Sequence, residues 1–288
     1  MSAVTDFCER GGLFLAADNN YEDSQLVLLG APMDYTVSFR PGSRNGPQAI
    51  RAASLGLEEH SLYSGKDLRH VHFFDAGDVE LPIGNTARSL QFIEAAVDSV
   101  FSDGKTPLVM GGEHLITLGS LRAAVRHHKN LAVIHLDAHA DLRTDYLGEA
   151  HSHASVMYHA HQELGLELFQ FGIRSATAEE VIFSKQHTHF YPFHVLDPLR
   201  QSIAQLAGRP LYISLDIDVV DPAFAPGTGT PEPGGISSTE LLAALELLST
   251  LQIVGMDVVE VSPAYDPAGI TAMLAAKVIR ETILALAR

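Results

Sequence analysis

Apolar runs alternate with helical patterns along nearly the whole chain. The runs predict eight strands, near 25–30, 71–75, 108–110, 131–136, 167–173, 188–191, 210–215 and 252–259. The helical patterns fall between most of them, at 47–54, 88–101, 115–127, 154–164, 178–186, 195–206, 238–250 and 270–287. Such alternation is typical of a mainly parallel sheet with helices on both faces. Because no stretch resembles a linker or a repeat, we expect one α/β domain over residues 1–288.

Composition excludes several classes of function. A formal net charge of −16 disfavours nucleic acid and anionic membranes as partners and suits a cationic substrate, although many proteins are acidic only for solubility. No apolar run approaches the roughly 20 residues of a membrane span, and the first 30 residues do not read as a signal peptide, so we expect a cytoplasmic protein. The single cysteine, Cys8, excludes an intrachain disulfide and a thiolate-rich zinc site. Metal ligands must then be His, Asp or Glu.

The predicted strand at 131–136 ends in three possible metal ligands at alternate positions. These are Asp137, His139 and Asp141, and the strand before them is rich in branched residues, as in a strand buried on both faces. If the extended backbone continues past Leu136, side chains at alternate positions project to one side. We therefore expect the three side chains to point at a common centre.

Two other predicted strands also end in ligating side chains. His114 follows a strand and the glycine pair at 111–112, where the backbone can turn sharply into the next helix. A single histidine at a turn is usually a capping or surface residue. Asp216 and Asp218 follow the strand at 210–215, and two carboxylates this close repel each other unless a cation lies between them. A turn in which each Asp accepts backbone N–H groups explains one such Asp more readily than two.

Three further segments give weaker indications of what the site contains. The strand at 252–259 carries Asp257 and leads to Glu260; at a spacing of three they face opposite ways in a regular strand, and we expect Glu260 to reach the site. The segment 38–51 contains glycines and arginines, but without the spacing of a known phosphate loop, so we favour a loop that packs over a site or forms a subunit contact. The loop at 221–231 is rich in Pro and Gly, and either shapes a pocket or only connects elements.

The strand-end groups have the chemistry of a site for two divalent ions. Ligands of an open parallel sheet bind at the carboxyl ends of its strands, where all of these groups fall. They are too numerous for one structural zinc and too rich in oxygen for copper, and manganese fits the ligand types best. Two ions about 3.5–4 Å apart can hold a hydroxide and lower the pKa of its parent water, so the chemistry implied is hydrolysis. The six groups are His114, Asp137, His139, Asp141, Asp216 and Asp218.

Four motifs together resemble the ureohydrolase family of arginase and agmatinase, over nearly the whole chain. They are GGEH at 111–114, DAHAD at 137–141, SLDIDVVDPAFAPGTGTPEPGG at 214–235 and VVEVSPAYD at 258–266. The resemblance implies a three-layer α/β/α arginase-like fold with a mainly parallel eight-stranded sheet, and an enzyme with two Mn²⁺ per chain that releases urea from a small cationic guanidino substrate. It also implies a homo-oligomer, either a hexamer or a trimer.

The resemblance also implies roles for single residues. A metal-bridging hydroxide attacks the central guanidinium carbon, and Asp141 beside it can pass on its proton. Glu260 matches the glutamate that grips the guanidinium, and His153 matches a histidine that exchanges protons near the substrate. His114 and Asp141 are implied to bind one ion, His139 and Asp218 the other, with Asp137 and Asp216 bridging both. The remaining histidines of this segment, His151, His159 and His161, are interpreted as surface or packing residues.

The loop 142–152 favours agmatine as the substrate, with putrescine and urea as products. It looks like the agmatinase version and offers Asp145 and Glu149 against one cation, Arg143. Asn45 stands where similar agmatinases tend to have an aromatic residue, which leaves open a guanidino acid such as 4-guanidinobutanoate. Arginine is a further alternative substrate. The alternatives from other classes are a non-catalytic metal-binding relative and a metal-dependent deacetylase of the same fold. The paired histidines and the GTGTP loop disfavour the deacetylase, and the complete set of ligands disfavours the non-catalytic relative.

Overall fold

The computed structural model describes residues 3–18 and 20–287. Over these residues it contains one sheet of nine strands, in the order β1-β3-β2-β4-β9-β8-β5-β6-β7. The strands are β1 Cys8–Glu9, β2 Leu26–Ala31, β3 Phe73–Val79, β4 Thr106–Gly111, β5 Ala132–Leu136, β6 Glu167–Ile173, β7 His189–Pro192, β8 Leu211–Asp216 and β9 Ile253–Val259.

Eight of these strands lie where the sequence predicted strands, and β1 was missed. Its two residues lie at the edge of the sheet and pair antiparallel with β3, whereas the other neighbours are all parallel. A pair of residues such as Cys8 and Glu9 carries no apolar pattern, so only pairing with an existing strand makes it extended. The sheet is therefore mainly parallel, as expected, but has nine strands instead of eight.

Within the described ranges, eight α-helices connect the strands. They are α1 Gly46–Ser54, α2 Thr86–Ser102, α3 Ile116–His127, α4 Val156–Gln162, α5 Ala178–His187, α6 Leu196–Leu206, α7 Ser238–Leu248 and α8 Ile270–Leu286. Each corresponds to a predicted helix, with ends that differ by a few residues. Pro47 lies in the first turn of α1, where its missing N–H costs no helical hydrogen bond. No helix in the described ranges is long and apolar enough to cross a membrane.

The hydrophobic core is divided by the sheet into two layers of side chains. Consecutive strand residues point to opposite faces, so Leu28 packs in one layer and Leu29 in the other, and Leu108 and Val109 divide in the same way. One layer packs against α1, α6, α7 and α8, and the other against α2, α3 and α4. Burial on both faces explains why the strands are almost continuously apolar. The result is the predicted three-layer α/β/α architecture.

The order of the strands brings four particular carboxyl ends together. The central neighbours β4, β9, β8 and β5 are consecutive in the sheet, although they are far apart along the chain. These are the strands after which the sequence places its acidic and histidine side chains. Since parallel strands end at the same edge, the chain collects these side chains at one place.

Candidate metal centre and substrate pocket

Glycine at position 112 allows the backbone after β4 to approach the end of β2. A Cβ atom at this position would lie 2.3 Å from the carbonyl oxygen of Met33 and 2.6 Å from that of Ala31. Such contacts are too short for any side chain, so this turn needs glycine for close approach. The turn carries His114 to the sheet edge, where its side chain is 1% exposed.

The segment after β5 bends at Ala138, pairs with Ser175 at His139, and is no longer extended at Asp141. The strand ends at Leu136, and Asp141 has a φ angle of 52°, in the left-handed region that non-glycine residues rarely adopt. The prediction that an extended backbone would aim Asp137, His139 and Asp141 at one point was therefore wrong in its geometry. The segment still brings all three side chains to the same edge of the sheet, and Asp141 is held in a conformation that costs energy, as is common at functional sites.

The candidate ligands form two clusters that share Asp137. In the first, His114 Nδ1 lies 3.0 Å from Asp137 Oδ2, 3.0 Å from Asp141 Oδ2 and 3.4 Å from Asp216 Oδ2. In the second, His139 Nδ1 lies 2.9 Å from Asp218 Oδ2 and 3.6 Å from Asp137 Oδ1. The two oxygens of Asp137 thus face different clusters, which is the geometry of a bridging carboxylate in a binuclear metal site.

Charge in these clusters is unbalanced without a cation. Burial raises the pKa of Asp216 well above its ordinary value, and the neighbouring Asp218 and Asp137 raise it further. Burial opposes ionisation of Asp137 as well, but His135, His114 and His139 outweigh this effect and hold its pKa well below the usual range. Because like charges this close repel, the carboxylates hold protons or require positive ions between them.

Two buried atoms point to metal binding. His114 Nδ1 and Asp218 Oδ2 are enclosed and lie at ion-pair distance from the other side chains of the clusters, but neither makes a hydrogen bond of regular geometry within the described residues. Buried polar atoms are otherwise almost always hydrogen-bonded, so a partner of another kind is expected at each of them. Imidazole nitrogen and carboxylate oxygen are ligands that suit borderline and hard divalent ions such as manganese. The residues present therefore fit a pair of divalent ions.

A buried relay sets the orientation of His114. Its Nε2 lies 2.9 Å from Ser214 Oγ, and Ser214 in turn donates to Asp257 Oδ1 at 2.8 Å. Because the hydroxyl of Ser214 donates its hydrogen bond to Asp257, its oxygen accepts a hydrogen bond from His114 Nε2–H. In a neutral imidazole this leaves a lone pair on Nδ1, which faces the carboxylates. Asp257 was expected to face away from the site, and the structure shows that it supports the site from behind instead.

His135 provides a similar support for Asp137 and was missed in the sequence. Its Nε2 lies 2.7 Å from Asp137 Oδ2, and its Nδ1 lies 3.0 Å from Gln170 Nε2. Gln170 donates, so the proton of a neutral His135 is on Nε2 and is directed at Asp137. The available signal was the spacing of two between His135 and Asp137, which puts both on one face of a strand.

A cavity of about 290 Å³ opens above the clusters, and Glu260 lies in its wall. The Glu260 residue follows β9 with a φ angle of 64°, and its Oε1 accepts a hydrogen bond from the His114 backbone N–H at 2.8 Å. Burial raises the pKa of Glu260 to about 8. A cation in the cavity would favour the ionised form of this carboxyl group. The residues that line the cavity include His114, His139, Asp141, His153, Asp216 and Glu260.

His153 also lines the cavity and is held by Thr36 and Ser38. Its backbone N–H donates to Thr36 Oγ1 at 3.0 Å, and its Nε2 lies 3.1 Å from Ser38 Oγ. Burial lowers the pKa of His153, although the charge of Asp141 opposes the shift. Its Nδ1 makes no hydrogen bond within the described residues. The ring is therefore kept neutral and has the capacity to exchange a proton with a molecule in the cavity.

The outer wall differs from what the loop 142–152 suggested. Asp145 and Glu149 are exposed and do not line the cavity, so the idea that these two acids surround the substrate was wrong. Glu180 lines it instead, with its two oxygens accepting the backbone N–H groups of Leu142 and Thr177. This glutamate is the third helical residue of a capping box, a local signal that was visible in the sequence.

Arg143 also lines the cavity and is held against its wall. The guanidinium carbon is 5.0 Å from the centroid of the Tyr146 ring, and its Nε is 3.9 Å from Glu180 Oε2. Among the described residues that line the cavity, Arg143 is the one arginine or lysine. The cavity therefore has a strongly acidic lining with one cation at its outer side.

The 38–51 and 221–231 segments both contribute to the cavity. Ser38 and Thr230 line it, so each segment supplies a wall residue. Two of the three arginines of the first segment are already paired, Arg44 with Asp34 and Arg51 with Asp75, and the third, Arg40, lies over the rings of Phe39 and Tyr265. Ser38 thus brings part of the first segment to the site, which is one of the two roles that we favoured for it.

Comparison with known proteins places the chain in a family. The model of the arginase family matches residues 24–285. The agmatinase of Bacillus subtilis (strain 168) is 48% identical over 278 residues, which cover 95% of this chain and 96% of that protein. The proclavaminate amidinohydrolase of Streptomyces clavuligerus is 36% identical, over 91% of this chain and 88% of that protein.

A solved structure agrees with this result. The crystal structure of a putative agmatinase from Clostridium difficile superposes with a TM-score of 0.90 at 37% identity, covering 93% of this chain and 99% of that chain. The fold, the two clusters that share Asp137 and the family model all lead to the same assignment. The chain belongs to the arginase family and is a ureohydrolase, an enzyme that cleaves carbon–nitrogen bonds of amidines.

Proposed function

We propose that this ureohydrolase hydrolyses agmatine to putrescine and urea with two Mn²⁺ bound per chain. The observation that carries the proposal is the buried carboxylate of Glu260 in the wall of a cavity, directly above two His/Asp clusters that share Asp137. The relatives named as agmatinases, such as that of Bacillus subtilis, support agmatine as the particular substrate.

The six candidate ligands would hold the two ions in two sets. His114 and Asp141 would bind one ion, His139 and Asp218 the other, and Asp137 and Asp216 would lie between them, in keeping with the distances around each imidazole. When bound, the ions would lower the pKa of a water molecule towards neutrality and so supply the nucleophile at neutral pH. Manganese is proposed because the set is dominated by carboxylate oxygens.

Glu260 would orient the guanidinium. A guanidinium presents paired N–H donors that match a carboxylate, and the charge of the substrate would favour ionisation of a group whose pKa burial raises to about 8. The hydrogen bond from the His114 backbone fixes Oε1, so the carboxylate is held in place before the substrate binds. Such fixed geometry lowers the entropy cost of bringing the reacting groups together.

Proton transfer would involve Asp141 and His153. Asp141 lies at the cluster of His114 and lines the cavity, so its carboxylate can accept a proton from the attacking water. Burial lowers the pKa of His153 and favours its neutral form, and its side chain lines the cavity. It can therefore exchange protons between the leaving amine and solvent through Ser38, whose hydroxyl lies against its Nε2.

The charge of the cavity favours agmatine over arginine. Of the acids that line the cavity, Asp141 and Asp216 would bind metal and Glu260 the guanidinium, which leaves Glu180 to face a second positive charge. The carboxylate of arginine would instead lose water close to this acid. An unpaired buried charge costs several kcal/mol, and about 1.4 kcal/mol corresponds to a factor of ten. We expect a kcat/KM for agmatine at least about a hundredfold above that for arginine.

A guanidino acid such as 4-guanidinobutanoate is the second candidate substrate. Arg143 is the observation that favours it, because its guanidinium lines the cavity and is 40% exposed, so it could bind a carboxylate. The similarity to an enzyme named proclavaminate amidinohydrolase is compatible with this alternative. Its contacts with Tyr146 and Glu180 weigh against it, since they hold the side chain at the wall.

A urea-release assay on one manganese-loaded preparation tests the proposal. The kcat/KM values for agmatine, arginine and 4-guanidinobutanoate are compared in the wild type, in Glu260→Gln and in Arg143→Gln. We expect agmatine to be preferred, Glu260→Gln to lose most activity, and Arg143→Gln to keep it. Comparable values for arginine and agmatine would refute the substrate assignment. A preference for the guanidino acid that Arg143→Gln abolishes would establish the second candidate, and no urea from any compound would indicate a non-catalytic relative.

Three inferences from the sequence remain predictions. They are that residues 1–288 form a single domain, that the protein is cytoplasmic, and that it assembles as a trimer or hexamer. Gel filtration with light scattering would measure the assembly directly.

A further inference from the structure

A separate cluster of metal-ligating side chains lies outside the cavity, beside α4. It consists of His151 in the preceding loop, His159 within the helix and Glu163 at its end. One ligating atom of each lies within 4.8 Å of the other two. His159 and Glu163 are four residues apart, the spacing that puts side chains on the same face of a helix.

The three side chains converge on a single carboxylate oxygen. Glu163 Oε1 lies 2.8 Å from His159 Nδ1 and 3.1 Å from His151 Nε2. The two imidazole rings are 4.4 Å apart between centroids. Ligand bonds of about 2.0–2.1 Å in a tetrahedral zinc site give distances of about 3.3 Å between ligand atoms. A shift of a few tenths of an ångström would therefore accommodate an ion.

The hydrogen bonding of His159 leaves a lone pair directed at this carboxylate. Its Nε2 lies 2.7 Å from the carbonyl oxygen of Ala150, which can only accept, so Nε2 carries the proton. Nδ1 of the neutral ring then faces Glu163 Oε1, and both atoms are acceptors. Two acceptors at this distance need a cation between them, either an additional proton on the ring or a metal ion. A histidine that binds metal through one nitrogen and donates from the other to a backbone carbonyl is the usual arrangement in metal sites.

The surroundings hold the three groups in place. The Ala150 carbonyl accepts a second hydrogen bond, from Ser155 Oγ at 2.7 Å, which anchors the loop that carries His151. Arg122 donates to Glu163 Oε2 at 2.9 Å and leaves Oε1 directed at the histidines. Glu163 and His151 are partly exposed, so an ion and a water ligand can reach the site from solvent.

We propose that His151, His159 and Glu163 form a third metal site, which takes a borderline transition ion such as Zn²⁺ with water as the fourth ligand. Two imidazoles and one carboxylate are a zinc-type set, unlike the carboxylate-rich clusters of the cavity. This role replaces the interpretation of His151 and His159 as surface or packing residues. His161 retains that interpretation, because its ring contacts Phe183 and its Nδ1 lies against the Leu166 carbonyl.

The site joins α4 to the loop that carries His153. His151 precedes this cavity residue by two positions, and the backbone between them is anchored by the hydrogen bond from the Ser152 N–H to Ser155 Oγ. An ion held by both loop and helix would restrain this segment further. The site does not depend on the proposed substrate, and its test can succeed or fail independently of it.

Zinc counting on manganese-saturated protein tests the proposal. The wild type, His151→Asn, Glu163→Gln and the control His161→Gln are dialysed against Zn²⁺ in excess Mn²⁺, and bound zinc is measured by mass spectrometry. The wild type and His161→Gln should each retain one zinc more than the other two variants. Removing a residue that only hydrogen-bonds to a metal ligand weakens metal binding by roughly 10- to 100-fold. Removing a ligand itself should therefore lower the affinity for zinc at least about tenfold.

Cobalt provides an independent measurement on the same four proteins. Co²⁺ in a four-coordinate site has visible absorption bands that six-coordinate cobalt shows only weakly, and we expect these bands in the wild type and His161→Gln. Circular dichroism and urea release with manganese alone confirm that the variants are folded. Equal zinc counts in all four proteins, with no cobalt bands that depend on His151 and Glu163, would overturn the proposal. The cation between His159 Nδ1 and Glu163 Oε1 would then be a proton.

Discussion

Replacing Ser214 with alanine should weaken one metal position and spare the other. Ser214 is fully buried, and its hydroxyl is the group that connects His114 Nε2 with Asp257. Alanine fits the same space without a clash, but leaves His114 free to turn its other nitrogen towards the carboxylates. Among the described residues, no hydrogen bond or ion pair joins His139 or Asp218 to this relay, so the second cluster should not change.

The magnitude follows from the role of such supporting partners. Their loss typically lowers metal affinity by about 10- to 100-fold, which is about 1.4–2.7 kcal/mol. Stability of the metal-free protein should fall as well, because His114 Nε2 and the Asp257 carboxyl lose their partner in a buried environment. Each unsatisfied buried group costs about 1–3 kcal/mol, so we expect a loss of at least about 1 kcal/mol.

Calorimetric titration of the metal-free protein with Mn²⁺ separates the two effects. Ser214→Ala should retain one binding step of wild-type affinity and lose affinity in the other, while urea denaturation reports stability. Ser184→Ala is a matched control, because Ser184 is equally buried and its hydroxyl donates to the Val181 carbonyl within a helix, away from the clusters. If Ser214→Ala lost stability but bound both ions within twofold of the wild type, the argument that the relay orients His114 would be refuted.

Three other predictions concern the metal clusters and the single thiol. Manganese reconstitution should approach two equivalents per chain, and one equivalent that persists in saturating metal with full activity would contradict the binuclear site. His139→Asn should lower turnover and metal affinity without unfolding the protein, because the loss of one ligand acts locally; unchanged turnover at saturating manganese would contradict the assignment of DAHAD. Cys8 should react slowly with iodoacetamide at pH 8, because burial, aided by Asp78, raises its pKa to about 12; equal rates in folded and denatured protein would contradict this.

Local sequence patterns determined the elements and the candidate ligands. Branched apolar runs and amphipathic segments have different periods, so eight strands and eight helices could be read directly from the chain. The ligands could be identified because burying His and Asp side chains at the ends of apolar strands is costly unless a partner compensates their charge and polarity. The paired acids at 216 and 218 indicated a metal site more strongly than His114 did. His114 became a candidate ligand only because other predicted strands also end in ligating side chains.

Tertiary structure decided which residues support these groups and which only lie near them in sequence. In the sequence His135 and Ser214 read as ordinary strand residues and Asp257 as an acid that faces away from the site. Only the pairing of β5 with β8 and of β8 with β9 brings them behind the clusters. Asp145 and Glu149 are close to the ligands in sequence but point to solvent, whereas Glu180, on another helix, lines the cavity. Sequence distance does not determine these contacts, because they depend on the order of the strands.

The directions of side chains beyond the strand ends were also decided by the folded structure. Asp141 and Glu260 both have left-handed backbone angles, which no periodic pattern predicts for an acidic residue. Such angles persist only where surrounding contacts impose them, here the turn after β5 and the hydrogen bond from Glu260 N–H to the Gly112 carbonyl. The sequence by itself determined which chemical groups the site contains, and the fold determined where each of them points, because those directions depend on contacts between segments distant in the chain.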